Sequence, residues 1–459
     1  MSWLRIVPFC CLPFYWAWLA LNTQPLIIYD AIGYEAAGRL IAAQGLGAYF
    51  HELGREPLFP YLVSRAMLLE QAWGPHYQYF LKPILLVFLA LTLTGIYRLA
   101  RLLGARRSWA GAGVFYAGVS PIILNSTLWL WSEAAALPWA VWGVFFCLKA
   151  WRAAGDKRDP LRAAGLAFMA GVMFTGLLMV KAAVSVVVMI YGLPFLLAGV
   201  VFLFRRDRGR ATAFIAAGSV FLVIFLAAVE GYKALNYRMN GNYAITSRYH
   251  WALYGNTARR LMPLTKERIA QAVLSVPRLG LCEKVYGREC GFWTYQMSDN
   301  ISNEATAYCN SQGFSEEQQR QFLLNNSFQL MARHPFQQAA MSVVEGTKML
   351  FWENRNYFVR YPAWLAGLYS QSILVCILCF GWAALSLAAL VYAFIRWSAG
   401  SLLTASFVLW FIAVHAIFFI DMRYALPIAP LFIVLTVVML QAGFRKISAA
   451  RSRKAAVDK

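Results

Sequence analysis

Charge is scarce in this sequence. Asp, Glu, Lys and Arg make up only 14% of its 459 residues, against about 25% in soluble domains. A soluble fold of this length would bury a large core but would still need a polar exterior, and too little is present to build one. Acidic residues are the scarcer sign, 21 against 42 basic. Histidine is rarer still, with 5 copies, and no metal-ligand constellation stands out. Internal repeats, heptad arrays and low-complexity linkers are also missing. The formal net charge of +21 raises nucleic acid as a partner. Positive charge retained on one membrane face explains it better, and no nucleic-acid partner is expected.

What is abundant is apolar. The chain is 60% hydrophobic, with a mean hydropathy of +0.53. A helix needs roughly 20 apolar residues to cross the hydrocarbon. Spans are expected at about 4–21, 79–99, 109–124, 134–148, 163–180, 182–204, 213–229, 373–395, 402–420 and 424–440. The run 163–204 is too long for one crossing, and Lys181 divides it into two helices with a tight turn. Pro13, nearby tryptophans and tyrosines, and the lack of an A-x-A site mark the first span as a retained helix and not a signal peptide. The fold class is therefore an all-α polytopic membrane protein with about ten transmembrane helices.

Lys and Arg orient the spans. With the N-terminus inside, the short inner loops and tails hold half of the 42 basic residues but only Asp156, Asp159, Asp207 and Asp458 of the 21 acidic ones. That asymmetry puts both termini in the cytoplasm. The expected organisation is a transmembrane module over 1–229 with a first outer loop at 22–78. An outer segment at 230–372, further helices over 373–444 and a basic tail at 445–459 follow. Cys10, Cys11, Cys147, Cys376 and Cys379 lie in apolar runs as packing residues. Cys282 and Cys290 are close enough to close a small loop if their segment is outside, with Cys309 odd or alternatively paired.

The first outer loop opens with Asp30-Ala-Ile-Gly-Tyr34, a short helix with Asp30 as N-cap and Gly45 at its end. Ile32, Ala36, Leu40 and Ala43 form an apolar stripe suited to a membrane surface. Arg55-Glu56-Pro57 then precedes a second amphipathic stretch. Beyond these, Trp131-Ser132-Glu133 opens span four, Lys181 sits at an outer turn, and Asp421-Met-Arg423-Tyr424-Ala-Leu-Pro427-Ile-Ala-Pro430 opens the last span. Each has a plain structural reading: helix-start carboxylates, cations snorkelling to head groups as Lys82 would, or Arg423 paired with Asp421.

Together these elements resemble GT-C fold glycosyltransferases, nearest to the protein O-mannosyltransferase and lipid A aminoarabinose transferase group. An acid just after span one with Tyr34 behind it, the Arg55-Glu56-Pro57 element and the Arg-Tyr-x-x-Pro-x-x-Pro pattern from Arg423 to Pro430 carry the resemblance. It departs at Ala31, where many members carry a second acid.

The resemblance implies transfer of a sugar from a polyprenyl-phosphate-linked donor to a glycan, lipid or protein acceptor, as a periplasmic reaction at a bacterial inner membrane, with inversion. It implies catalytic roles for Asp30 and Glu133. Arg55, Glu56, Lys181 and Arg423 would meet the donor phosphate. Tyr34, Arg248, Arg259 and Tyr424 would contact substrate. No cofactor is required by it, although two carboxylates beside a phosphate are able to recruit a divalent metal. A lipid or small-molecule transporter and a lipid-linked glycan polymerase or ligase remain as alternatives. No repeated halves or matching broken helices of a transporter are evident.

Overall fold

The structure, a computed structural model, describes residues 3–51, 56–156, 159–246, 249–261, 263, 265–276, 280–293, 295–353, 359–370, 372–418 and 421–457. It is almost entirely helical. α1 (Trp3–Asn22) leads into a loop of three shorter helices, α2 (Asp30–Gln44), α3 (Leu46–His51) and α4 (Leu58–Trp73). The first bundle follows with α5 (Gln78–Leu102), α6 (Arg107–Val119), α7 (Pro121–Leu128), α8 (Ser132–Asp156), α9 (Pro160–Leu178), α10 (Val184–Phe204) and α11 (Arg208–Asn240). The large intervening segment folds as α12 (Tyr249–Arg260), α13 (Lys266–Leu274), α14 (Leu281–Tyr286), α15 (Tyr295–Ser311), α16 (Glu316–Arg333) and α17 (Pro335–Gly346). α18 (Ala363–Ser370), α19 (Ser372–Arg396), α20 (Ala399–Phe418) and α21 (Ala429–Val457) complete the chain.

Among the described residues, the ten expected spans fall largely on helix. Among the described residues, seven helices are long and apolar enough to cross a membrane: α5, α8, α9, α11, α19, α20 and the Met422–Ser452 stretch that holds α21. Their relative burial shows which are central. In α8 and the Met422–Ser452 stretch, 72% and 83% of the most apolar window is buried inside the protein, against 33% in α19. Small residues let the central helices approach. A Cβ on Gly143 of α8 would lie 2.9 Å from the Phe174 ring of α9.

The third expected span is broken. Pro121 has no N–H to continue α6, and Ser120 Oγ accepts from Ile123 N to start α7. The Glu353 carboxylate, arriving from the outer segment, accepts from Ser120 Oγ at 2.6 Å, Tyr116 Oη at 2.8 Å and Ile122 N at 3.1 Å. Irregular backbone among membrane helices is tolerated where protein buries it, and every residue of α7 is buried. Nearby, β1 (Gln24–Pro25) and β2 (Val359–Arg360) pair antiparallel, tying the start of the first loop to the return of the outer segment.

Two local expectations need correction. Asp30 is the first helical residue of α2, with Tyr29 at the cap position, so its carboxylate is not an N-cap. The packed face of α2 is Ala31, Tyr34, Gly38 and Ile41, which leaves Ile32, Ala36 and Ala43 of the apolar stripe facing outward and Leu40 half-buried. Lys82 does not snorkel. It is buried and donates to Ala20 O at 2.7 Å and Thr23 O at 2.6 Å, closing the C-terminus of α1.

The segment between α11 and α18 carries the Cys282–Cys290 disulfide, with Cys309 free and buried. Its anchor is a buried charge cluster. Glu345 accepts from Arg259 and, at 2.7 Å, from Arg260 Nε, with Lys348 Nζ 3.5 Å away. Arg260 also donates to Ala416 O at 2.5 Å and Ile417 O at 3.3 Å, so α12 and α17 are fastened to the end of α20. Burial opposes the charge on Glu345, but Arg259, Arg260 and Lys348 outweigh it and hold its carboxyl well below the usual range.

A lowered folded pKa gives stabilisation that is complete above the unfolded value of about 4.3. It is lost as pH falls through the folded value. Glu345→Gln leaves buried cations uncompensated and is expected to cost about 3–5 kcal/mol. Thermal unfolding at neutral pH checks this, and an unchanged midpoint would contradict it.

Candidate functional site

The site is built where three chain segments meet at one end of the bundle. α2 starts at Asp30, α8 starts at Ser132, and the turn between α9 and α10 carries Lys181. A 3₁₀ segment, Met422–Ile428, crosses beneath them and leads into α21. Asp421 caps that segment by accepting from Arg423 N at 3.2 Å. The cap fixes the backbone of Arg423 and leaves its guanidinium to another carboxylate.

That carboxylate is Asp30. Arg423 Nη2 lies 2.7 Å from Asp30 Oδ2. Tyr29, immediately before Asp30, has φ 52° and ψ −125°. Such a conformation costs a bulky residue on the order of 1–3 kcal/mol. The chain accepts this at the residue that sets the direction of Asp30.

A second ion pair sits beside the first. Lys181 Nζ is 2.8 Å from Glu133 Oε1. Burial works against the Lys181 charge, but Glu133, with Tyr34, Glu56 and Tyr424 adding to it, holds its pKa above the ordinary lysine value. The Tyr424 ring joins the two pairs. Lys181 Nζ lies 5.4 Å from its centroid and the Arg423 guanidinium 5.2 Å, both within cation–π range. Beyond Glu133, Tyr34 Oη donates to Ser132 Oγ at 2.8 Å, and Ser132 Oγ is 3.5 Å from Glu133 Oε2. Glu56 accepts from Ala182 N at 2.8 Å and Leu58 N donates to Met179 O at 3.0 Å, so the first outer loop holds the Lys181 turn directly.

Of the residues expected at a site, Asp30, Tyr34, Glu56, Glu133, Lys181, Arg423 and Tyr424 therefore come together. Arg259 does not join them, because it belongs to the buried Glu345 cluster. Arg55 and Arg248 lie outside the described residues. His415 had no signal beyond being a lone histidine in an apolar run. Its buried ring lies 4.4 Å from Phe411 and 5.4 Å from Tyr424, and its Nδ1 is 2.8 Å from Phe411 O.

Exposure separates the two acids. The Asp30 side chain is 28% exposed and that of Glu133 only 3%. Asp30 is reachable by an incoming proton donor, whereas Glu133 is placed to hold Lys181. Arg423 and Lys181 present two cations side by side, an arrangement that suits a phosphate. Among the described residues, no three His, Cys, Asp or Glu side chains come together to hold a metal ion.

No protein-family model matches this chain, and no curated protein matches its sequence. Among solved structures it is similar to the archaeal oligosaccharyltransferase AglB from Archaeoglobus fulgidus, in complex with an inhibitory peptide and a dolichol-phosphate. The TM-score is 0.47 at 15% identity, over 92% of this chain and 48% of that one. This chain thus spans about half the length of that protein.

The Glu133–Lys181 pair lends itself to a double-mutant cycle. Glu133→Gln alone strands a mostly buried ammonium and is expected to destabilise by about 3 kcal/mol. Lys181→Met alone strands the carboxylate. The double variant should lose less than the sum of the two by about 1 kcal/mol or more. Additive losses in thermal unfolding would show that the two side chains do not act as a pair.

Proposed function

We propose that this protein is a GT-C type glycosyltransferase that moves a sugar from a polyprenyl-phosphate-linked donor to an acceptor at the outer face of a bacterial inner membrane. The observation that carries the reading is the Asp30–Arg423–Tyr424–Lys181–Glu133 network. It sets one reachable carboxylate beside two cations at one end of a transmembrane bundle. Asp30, Arg423 and Tyr424 are also among the residues that carry the GT-C resemblance.

In this reading the donor phosphate binds to Arg423 and Lys181, competing with the carboxylates that hold them. Asp30, released from Arg423, takes the proton of the acceptor hydroxyl. The acceptor oxygen bonds to the anomeric carbon as the bond from that carbon to the phosphate oxygen breaks. The electron pair leaves with the lipid phosphate, whose growing charge Arg423 and Lys181 stabilise. Attack opposite the departing phosphate inverts the anomeric centre. Glu133 and Glu56 hold Lys181 and its turn in place. Tyr34 acts through Ser132, and the Tyr424 ring backs both cations.

The outer placement of this end draws on two features. Apart from Lys181 and Arg423, the basic residues of the short loops belong to the other end. The Cys282–Cys290 disulfide lies in the large segment on the site's side, and disulfides persist in oxidising compartments.

The test is sugar release from a panel of polyprenyl-phosphate sugars by purified protein in lipid nanodiscs. One donor should turn over, and Asp30→Asn should lower kcat by about 10²–10⁴ while its unfolding midpoint stays near wild type. Arg423→Gln should raise the KM for that donor. Full turnover by a folded Asp30→Asn removes the base assignment. Solute flux without turnover of any donor replaces the enzyme with a transporter.

A further inference from the structure

A second charged feature lies at the opposite end of the bundle. Arg152 is 19 positions beyond Glu133 on α8, about 29 Å away at 1.5 Å per residue. There the C-terminal ends of α5, α8 and α19 and the first turn of α20 border an open pocket of about 280 Å³. Two arginines line it, Arg152 and Arg396, both of them exposed. Each is steered by a carbonyl at the end of α5: Arg152 donates to Leu102 O, and Arg396 Nη1 donates to Leu103 O at 3.2 Å. A carbonyl takes one of the five donors that each guanidinium carries.

The remaining lining fixes the ligand class. Ser398 borders the cavity and N-caps α20, its Oγ accepting from Ser401 N at 3.3 Å. The positive end of that helix dipole adds to the two cations, while the negative ends of α5, α8 and α19 oppose an anion and are partly neutralised by the same arginines. Among the described residues of the lining, Asp156 is the one acid against two arginines, so the side-chain charge favours an anion. Two forked guanidiniums match the several oxygens of a phosphate. Leu148 and Trp151 supply an apolar wall beside them, suited to the carbon part of a lipid headgroup.

We propose that Arg152 and Arg396 bind a phosphate group in this cavity, presented by an anionic phospholipid or as free phosphate. Basic pockets between membrane helices on the cytoplasmic side take lipid phosphates in this way. The site is independent of the reaction proposed for the other end, and either reading can fail alone.

Ser398 offers a clean test. Asn and Asp are both good N-caps, so Ser398→Asn and Ser398→Asp should each preserve the start of α20. Only Asp adds a negative charge to the cavity. Full-length protein in phosphatidylcholine nanodiscs is titrated with short-chain phosphatidylglycerol and, separately, with inorganic phosphate, reading the unfolding midpoint. Wild type and Ser398→Asn should be stabilised, and Ser398→Asp should bind about tenfold or more weakly. Stabilisation by phosphatidylglycerol alone identifies the lipid headgroup. Equal stabilisation by both probes identifies free phosphate as sufficient. Failure of both probes to stabilise wild type, or equal stabilisation of wild type and Ser398→Asp, overturns the proposal.

Discussion

The arrangement at the site's end of the bundle depends on the ion pair between Asp30 and Arg423. Asp30 stands at the start of a helix in the loop after α1. Arg423 belongs to the entry of the most buried span. Nearly 400 residues of chain separate them, so the contact is a closure that the whole bundle has to deliver. Everything around it fixes one partner or the other. The Tyr29 backbone sets the direction of Asp30, and Asp421 caps the segment that carries Arg423.

The same closure reaches into the segment between α11 and α18. Arg260 donates to Ala416 O and Ile417 O at the end of α20, a few residues before Asp421. The buried Glu345 cluster therefore stabilises the outer helices and also fixes the chain just ahead of Arg423. Glu353 plays the matching role on the other side, where it closes the break between α6 and α7. From α7 the chain runs through Trp129 and Trp131 to Ser132 and Glu133. Both outer-segment carboxylates thus brace elements that supply the site, although neither belongs to it.

Much of this was legible in the sequence because a membrane leaves few choices. Long apolar runs have to become helices, since unpaired backbone groups are too costly in hydrocarbon, and among the described residues the ten expected runs fall largely on helix. Asp30, Glu133, Lys181 and Arg423 stood out because ionisable groups at the edges of such runs are few. Pairing was not legible. Arg423 has Asp421 two residues away, and local spacing suggested that pair, but Asp421 is used on the backbone and the guanidinium reaches a distant acid. Lys82 looked like an interfacial cation and proved to be a helix-end donor, because its partners are carbonyls that no side-chain pattern reveals. Arg259 carried the composition of a substrate contact, but its position facing Glu345 is set by tertiary packing alone.

The central claim is that the two cations now held by Asp30 and Glu133 are the seat of a lipid-linked phosphate. A cryo-EM structure of the protein in nanodiscs loaded with polyprenyl phosphate addresses it most directly. The account predicts phosphate density between Arg423 and Lys181, with the Asp30–Arg423 pair opened and the Asp30 carboxylate facing the cavity so formed. Phosphate density elsewhere in the protein, with that ion pair intact, would contradict it.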